Sequence, residues 1–133
     1  MSKDEQLFWK FGKDFRKGTV LFQEGDPGRE MFILQKGRVQ VRKRVGSGEK
    51  VLAELGDGEF FGEMALLEGL NRSATVEAVE DSKILVIGPE TFETLLKNNP
   101  EIAVKMLKKM AARLRSLDEH LGNVLLDTKK ECQ

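Results

Sequence analysis

One cysteine, one histidine, one tryptophan, three prolines and no tyrosine are found in 133 residues. The single thiol, Cys132, has no partner for an internal disulfide. It also lacks the neighbouring His or second Cys that would mark a reactive tail thiol. A lone histidine, His120, excludes the several-imidazole centre of a jelly-roll metalloenzyme, and it is expected on the exposed side of a helix. No uninterrupted apolar run exceeds about four residues, far short of the ~20 needed to cross a bilayer. The opening Met1-Ser2-Lys3-Asp4-Glu5-Gln6 is charged and lacks the ~7–15-residue apolar stretch of a signal peptide. An excess of one charge is missing too: 22 basic residues balance 22 acidic ones, so nothing draws the chain as a whole to nucleic acid or an anionic membrane. Lys105, Lys108, Lys109, Arg113 and Arg115 read as a solvated helix face. No nucleophile–base pair or ligand cluster stands out, and Asp57 with Glu59 reads as turn chemistry rather than an acid–base pair. The expectation is a cytoplasmic, membrane-free, non-enzymatic protein without metal or cofactor.

What is present is a composition of 40% hydrophobic and 33% charged residues, enough for one cored domain spanning 1–133. Leu7-Phe8-Trp9 suggests a short helix within residues 1–10. From 11 to 88 the texture is short apolar or alternating segments punctuated by glycine. Thr19 to Phe22 ends at Gly25-Asp26-Pro27-Gly28, a strong turn signal. Met31 to Leu34 closes at Lys36-Gly37. Val39, Val41 and Val45 alternate with Arg38, Gln40, Arg42 and Arg44, a strand with one wet face. Gly46-Ser47-Gly48 reads as a hairpin loop before Val51 to Leu55, and Gly56-Asp57-Gly58 turns into Phe60-Phe61. Ser73 to Val79 and Ile84 to Ile87 complete the set. About eight short strands at this spacing predict a mainly β fold with flanking helices, an antiparallel β-roll or jelly roll.

Helical periodicity takes over across 89–126. Gly88-Pro89-Glu90 has proline at the first helical position and an acid in the first turn, with Phe92, Leu95 and Leu96 on one face. Asn99-Pro100-Glu101 starts a longer helix in the same way. Its apolar residues Ala103, Leu107, Met110, Leu114, Leu117, Leu121 and Val124 step alternately by four and three, a heptad seam over about three repeats. About 24 helical residues span ~36 Å, longer than so small a roll would cover. The seam therefore predicts a homodimer, against the alternative of a helix packed on its own domain. Gly122 in the last heptad costs ~1 kcal/mol against alanine and marks either a close helix approach or an early helix end.

The chemistry concentrates in Phe61-Gly62-Glu63-Met64-Ala65-Leu66-Leu67-Glu68-Gly69-Leu70-Asn71-Arg72-Ser73-Ala74-Thr75-Val76. A strand ends at Gly62, one apolar turn of helix follows, and a glycine-bearing loop delivers an arginine to the next strand. Unpaired amides at a helix start favour an anion. A guanidinium offers the planar fork that matches a phosphate and that lysine lacks. Gly62 allows close backbone approach, and the carboxylate of Glu63 accepts from a sugar hydroxyl. An anion clamp beside a hydroxyl clamp suits a ribose that bears a phosphate.

This run resembles the phosphate-binding cassette of the cyclic-nucleotide-binding domain family. The sensor domains of the bacterial catabolite activator protein and of the regulatory subunits of cyclic-AMP-dependent kinase are among its members. The family pattern of Phe-Gly-Glu, small and aliphatic residues, then Arg-Ser/Ala-Ala is matched by Gly62, Glu63, Arg72, Ser73 and Ala74. Glu24-Gly25-Asp26, Gly28 and Gly37 match its turns. The resemblance implies that Arg72 pairs with the cyclic phosphate and that Glu63 accepts from the ribose 2′-hydroxyl. It also implies that the amides of Met64, Ala65 and Ser73 complete the cradle, with Phe61, Val41 and Leu52 as apolar walls. The competing readings are a structural ion pair between Arg72 and Glu63, and a protein-interaction module of the same fold that no longer binds nucleotide.

In the family, Thr after the arginine accompanies guanine and Ala accompanies adenine; Ser73 is neither. Leu117-Asp118 stands where the activator carries Thr-Ser on its long helix, which makes these two residues the candidate base contacts. A carboxylate at 118 or 119 would accept from the N1–H and N2–H of guanine better than it would serve adenine. Cyclic AMP, the commoner family ligand, is placed first and cyclic GMP second. The chain ends at Cys132-Gln133 where a helix-turn-helix follows in the transcription-factor branch. The expectation is therefore a sensor without a DNA-binding domain, signalling through its C-terminal helix to a dimer or an output partner that the sequence does not identify.

Overall fold

The computed structural model describes residues 2–131, the side chains of residues 3, 4 and 124–131 excepted. Cys132 and the side chain of Val124 lie outside what is described. Two compact units divide the chain, one running to Glu93 and the other from Thr94.

The first unit opens with α1 (Lys3–Phe11), capped by the Ser2 hydroxyl, which accepts from the Glu5 amide. Trp9 on this helix is 82% exposed. Eight strands follow: β1 (Gly12–Phe15), β2 (Val20–Phe22), β3 (Met31–Lys36), β4 (Val39–Val45), β5 (Gly48–Leu55), β6 (Phe60–Phe61), β7 (Thr75–Ala78) and β8 (Ser82–Ile87). A single helical segment, α2 (Glu63–Glu68), interrupts them between β6 and β7. They form two four-stranded sheets of order β1-β8-β3-β6 and β2-β7-β4-β5, with every pairing antiparallel. The expected antiparallel jelly roll is present.

Its core is assembled from both sheets. Phe32, Leu34, Phe61 and Ile84 come from the first, and Val39 and Val76 from the second; Phe15, Leu21, Phe22, Val41, Leu55 and Val86 pack around them. The alternation in β4 works as its pattern predicts only near its start. Val39 is fully buried, Val41 half-buried and Val45 exposed, because the β4–β5 hairpin runs out beyond the core. On its wet face Arg42 reaches Glu49 on β5 at 2.7 Å and Glu77 on β7 at 2.8 Å, joining three neighbouring strands. β5 begins at Gly48, three residues before the apolar segment that announces it, and is exposed for almost its whole length.

β1 has no counterpart among the expected strands. Gly12-Lys13-Asp14-Phe15 carries two charges and no alternation, a composition suited to a sheet edge, and it is recruited by pairing along β8. Asp57 has the turn role expected of it: its Oδ1 accepts from the Gly37 amide, and Gly37 sits at φ 124° with Ser82 against it.

α3 (Pro89–Asn98) and α4 (Pro100–Glu131) start at the predicted prolines. α4 has 32 residues, about 48 Å at 1.5 Å per residue, and runs through Gly122 beyond the expected limit of 126. The glycine does not end it. Apart from the neighbouring backbone of α4 itself, nothing among the described residues stands within 4 Å of a side chain added there. Within α4, Leu107, Leu114, Leu117 and Leu121 are exposed, Ala103 and Met110 half-buried, and His120 exposed. No helix among the described residues is long and apolar enough to cross a membrane, and no group of three or more His, Cys, Asp or Glu among them could hold a metal.

Candidate functional site

Phe60 and Phe61 pair with Ile33 and Phe32 of β3, which anchors the start of the Gly62–Ala74 segment in the sheet. Gly62 then adopts φ 79°, the left-handed conformation that L side chains rarely take. That reversal turns the chain out of β6 into α2, which ends on Gly69, also left-handed, with its amide donating to the Ala65 carbonyl. The loop brings Arg72 back beneath the β2–β3 connection. There the Arg72 amide donates to the Asp26 carbonyl at 2.9 Å and the Gly25 amide to the Arg72 carbonyl at 2.8 Å. Lys43 on β4 donates to the Ser73 carbonyl at 2.8 Å, and the Thr75 hydroxyl accepts from the Glu24 amide.

The Arg72 side chain is buried, only 3% exposed. Its Nη1 donates to the Glu30 carbonyl at 2.7 Å and, more weakly, to the Gly62 carbonyl at 3.4 Å. Nη2 meets Glu30 Oε2 at 3.4 Å, and Nε is buried with no hydrogen-bond partner among the described residues. The guanidinium carbon lies 4.3 Å from the centre of the Phe22 ring and 5.7 Å from that of Phe32, within the range of a cation–π attraction. Phe32 in turn stacks on Phe61 at 5.1 Å. Two glycines make the slot possible. A methyl group on Gly28 would stand 2.5 Å from Nη2, and one on Gly62 would stand 3.0 Å from Nη1. Burial pushes the Arg72 pKa down from its usual range, while the charges of Glu30 and Asp26 act the other way.

An arginine this deep is costly unless neutralised. Here the neutralisation is thin: one carboxylate at the edge of hydrogen-bonding range, itself half exposed, the charge of Asp26 acting without an ion pair to the guanidinium among the described residues, and one N–H without an acceptor among them. The acid that meets Arg72 is Glu30, a residue the sequence pattern does not single out. Gly28 and Phe22, which complete the slot, carry no chemical signal of their own beyond a turn glycine and a strand aromatic.

The other expected residues are placed as follows. Gly62, Glu63, Met64 and Ala65 lie at the β6–α2 junction, with Glu63 as the first residue of α2, Met64 exposed and Ala65 buried. Ser73 is exposed and Ala74 buried. Phe61 is buried in the core rather than presented to solvent, Val41 packs at the core's margin, and Leu52 stands exposed on β5. Leu117 and Asp118 are on α4, in the second unit, and both are exposed.

Residues 12–99 match the family model described as the cyclic nucleotide-binding domain. The chain is 37% identical over 108 residues to a protein of Thermus thermophilus named cyclic AMP receptor protein, a match that covers 80% of this chain and 50% of that one. The chain therefore spans about half the length of that relative. The crystal structure of the Thermus thermophilus catabolite activator protein superposes with a TM-score of 0.78 at 31% identity, covering 93% of this chain and 60% of that one. A structure from work on a cyclic-GMP-dependent signalling pathway in bacterial phytopathogenesis superposes at 0.67 with 29% identity, covering 87% and 95%.

Proposed function

The chain belongs to the cyclic nucleotide-binding domain family, and from that premise we propose that it is a non-catalytic sensor of a cyclic nucleoside monophosphate. The observation that carries this reading is the buried, under-neutralised guanidinium of Arg72, held beside the left-handed turn at Gly62. A phosphodiester is the anion whose geometry a guanidinium fork matches. In this proposal Arg72 binds the cyclic phosphate and Glu63 accepts from the ribose 2′-hydroxyl. The amides of Met64, Ala65 and Ser73 complete the cradle, Leu52 and Val41 offer apolar contact to the base, and Phe61 acts from the core by fixing Phe32. Likeness to a protein named as a cyclic AMP receptor favours cyclic AMP. Likeness to a structure from a cyclic-GMP pathway keeps cyclic GMP as the second candidate.

The test is thermal unfolding with each nucleotide. A ligand at 100 times its Kd stabilises the native state by ~2.7 kcal/mol, which raises the Tm of a domain of this size by several degrees. Saturating cyclic AMP is expected to give that shift. No shift with either nucleotide would defeat the sensor reading.

Self-association through α4 is the second part of the proposal. Leu107, Leu114, Leu117 and Leu121 recur at heptad spacing and are all exposed in the single chain, which supports a helix–helix seam. Sedimentation equilibrium is expected to show a dimer at micromolar concentration, and Leu114→Glu, which sets like charges across the seam, to give a monomer. A monomeric wild-type protein at high micromolar concentration would overturn this part alone.

A further inference from the structure

If Arg72 is the phosphate ligand, as the proposed function has it, the groups already on its guanidinium decide how readily a nucleotide reaches it. The β2–β3 connection wraps it on several sides. The backbone of Gly25 and Asp26 is bonded to the backbone of Arg72, the Glu30 carbonyl takes Nη1, and Gly28 lies against Nη2 and Nε. These are backbone features that no side-chain exchange removes. The carboxylate of Glu30 is different. It is a side chain 51% exposed, it makes a single long contact with Nη2, and it has open solvent to swing into.

We propose that the Glu30 carboxylate is a resident counter-ion that holds the phosphate's place on Arg72 Nη2 in the ligand-free chain and is expelled when the nucleotide binds. The logic is one of charge. Nη1 is committed to carbonyl oxygens, so a phosphodiester that takes the fork in two-toothed fashion engages Nε, which has no acceptor among the described residues, together with Nη2, where Glu30 now sits. Two anions on one edge of a guanidinium repel, most strongly at a buried site. The carboxylate is the weaker competitor, because it is single-toothed, long and half-hydrated. Its removal from the ligand-free state is therefore expected to tighten nucleotide binding, the reverse of what loss of a supporting contact would do. Every nucleotide bound carries the cost of displacing an internal anion, so Glu30 sets the concentration at which the site fills.

Calorimetric titration of cyclic AMP and cyclic GMP into the wild-type protein and Glu30→Gln decides the matter. Glutamine keeps the length and the acceptor but not the charge, and the backbone carbonyl at position 30 stays. The expected result is about 5-fold tighter binding by Glu30→Gln, the scale of one exposed ion pair. A companion measurement needs no ligand. Glu30→Gln is expected to lower the ligand-free Tm in the wild-type background and not in an Arg72→Met background, where there is no cation to neutralise. Unchanged or weaker binding by Glu30→Gln overturns the counter-ion role while leaving the sensor reading intact. Equal Tm losses in the two backgrounds overturn it too. Absence of heat with both nucleotides in the wild-type protein sinks the sensor reading itself.

Discussion

Arg72→Ala is expected to weaken binding of cyclic AMP and cyclic GMP by about 100-fold or more in a calorimetric titration. Truncating one partner of a buried, hydrogen-bonded charge pair costs ~2–5 kcal/mol, and ~2.7 kcal/mol is already 100-fold. Arg72→Lys keeps the charge but not the planar fork, and an intermediate loss of roughly 10-fold is expected of it. Arg72→Met separates the site from the fold, since it fills the slot between Phe22 and Phe32 with a flexible apolar side chain. Replacing a buried charge by an apolar group of similar volume is often neutral or stabilising. Arg72→Met is therefore expected to bind no nucleotide while its ligand-free Tm does not fall. An Arg72→Ala protein that is folded and still binds both nucleotides normally would show that the phosphate is held elsewhere.

Gly62→Ala is the second variant with a large expected effect, and here it is on stability. The backbone at φ 79° costs an L residue roughly 1–2 kcal/mol. The added methyl would also stand 3.0 Å from Arg72 Nη1 and 3.2 Å from both the Glu30 carbonyl and the Phe32 ring. Those neighbours are buried or bonded and cannot give way cheaply. A loss of about 2–4 kcal/mol is expected, or roughly 8–15 °C in Tm. Gly46→Ala is the control. That glycine is also left-handed, at φ 61°, but apart from its chain neighbours nothing among the described residues lies within 4 Å of the new methyl, so only the backbone part of the loss is expected. A Gly62→Ala protein no less stable than Gly46→Ala would mean that the arginine slot tolerates intrusion.

The turns and central strands of this fold were legible because their physics is local. Gly25-Asp26-Pro27-Gly28 and Gly56-Asp57-Gly58 announce reversals, and Pro89 and Pro100 open helices where they stand. β1 was not legible. Gly12–Phe15 has nothing in its own composition to favour a strand and is extended because β8 offers it a ladder. The Gly62–Ala74 segment stood out as a candidate because glycine, carboxylate and guanidinium each have few chemical uses, and the roles given to its residues come from the family resemblance. The immediate partner of Arg72 could not. It is chosen by the path of the β2–β3 connection, and a backbone carbonyl such as that of Glu30 leaves no mark in a sequence. Gly28 was visible as a turn residue, but not as the bare spot against which the guanidinium lies. Phe61, expected as an apolar wall, is buried in the core and stacks on Phe32; both residues of β6 are buried, so alternation along so short a segment could not tell a wall from the core.

The chain has one indole and no phenol ring, and that indole, Trp9, stands almost wholly in water on α1. Its emission in the native protein should already resemble that of the unfolded chain, so fluorescence would be nearly blind to melting, and ellipticity is the signal to follow in the denaturation experiments above. The same silence is useful in a titration. Against so flat a baseline, any change in Trp9 emission on adding nucleotide would report an altered environment at the amino-terminal helix, without a label.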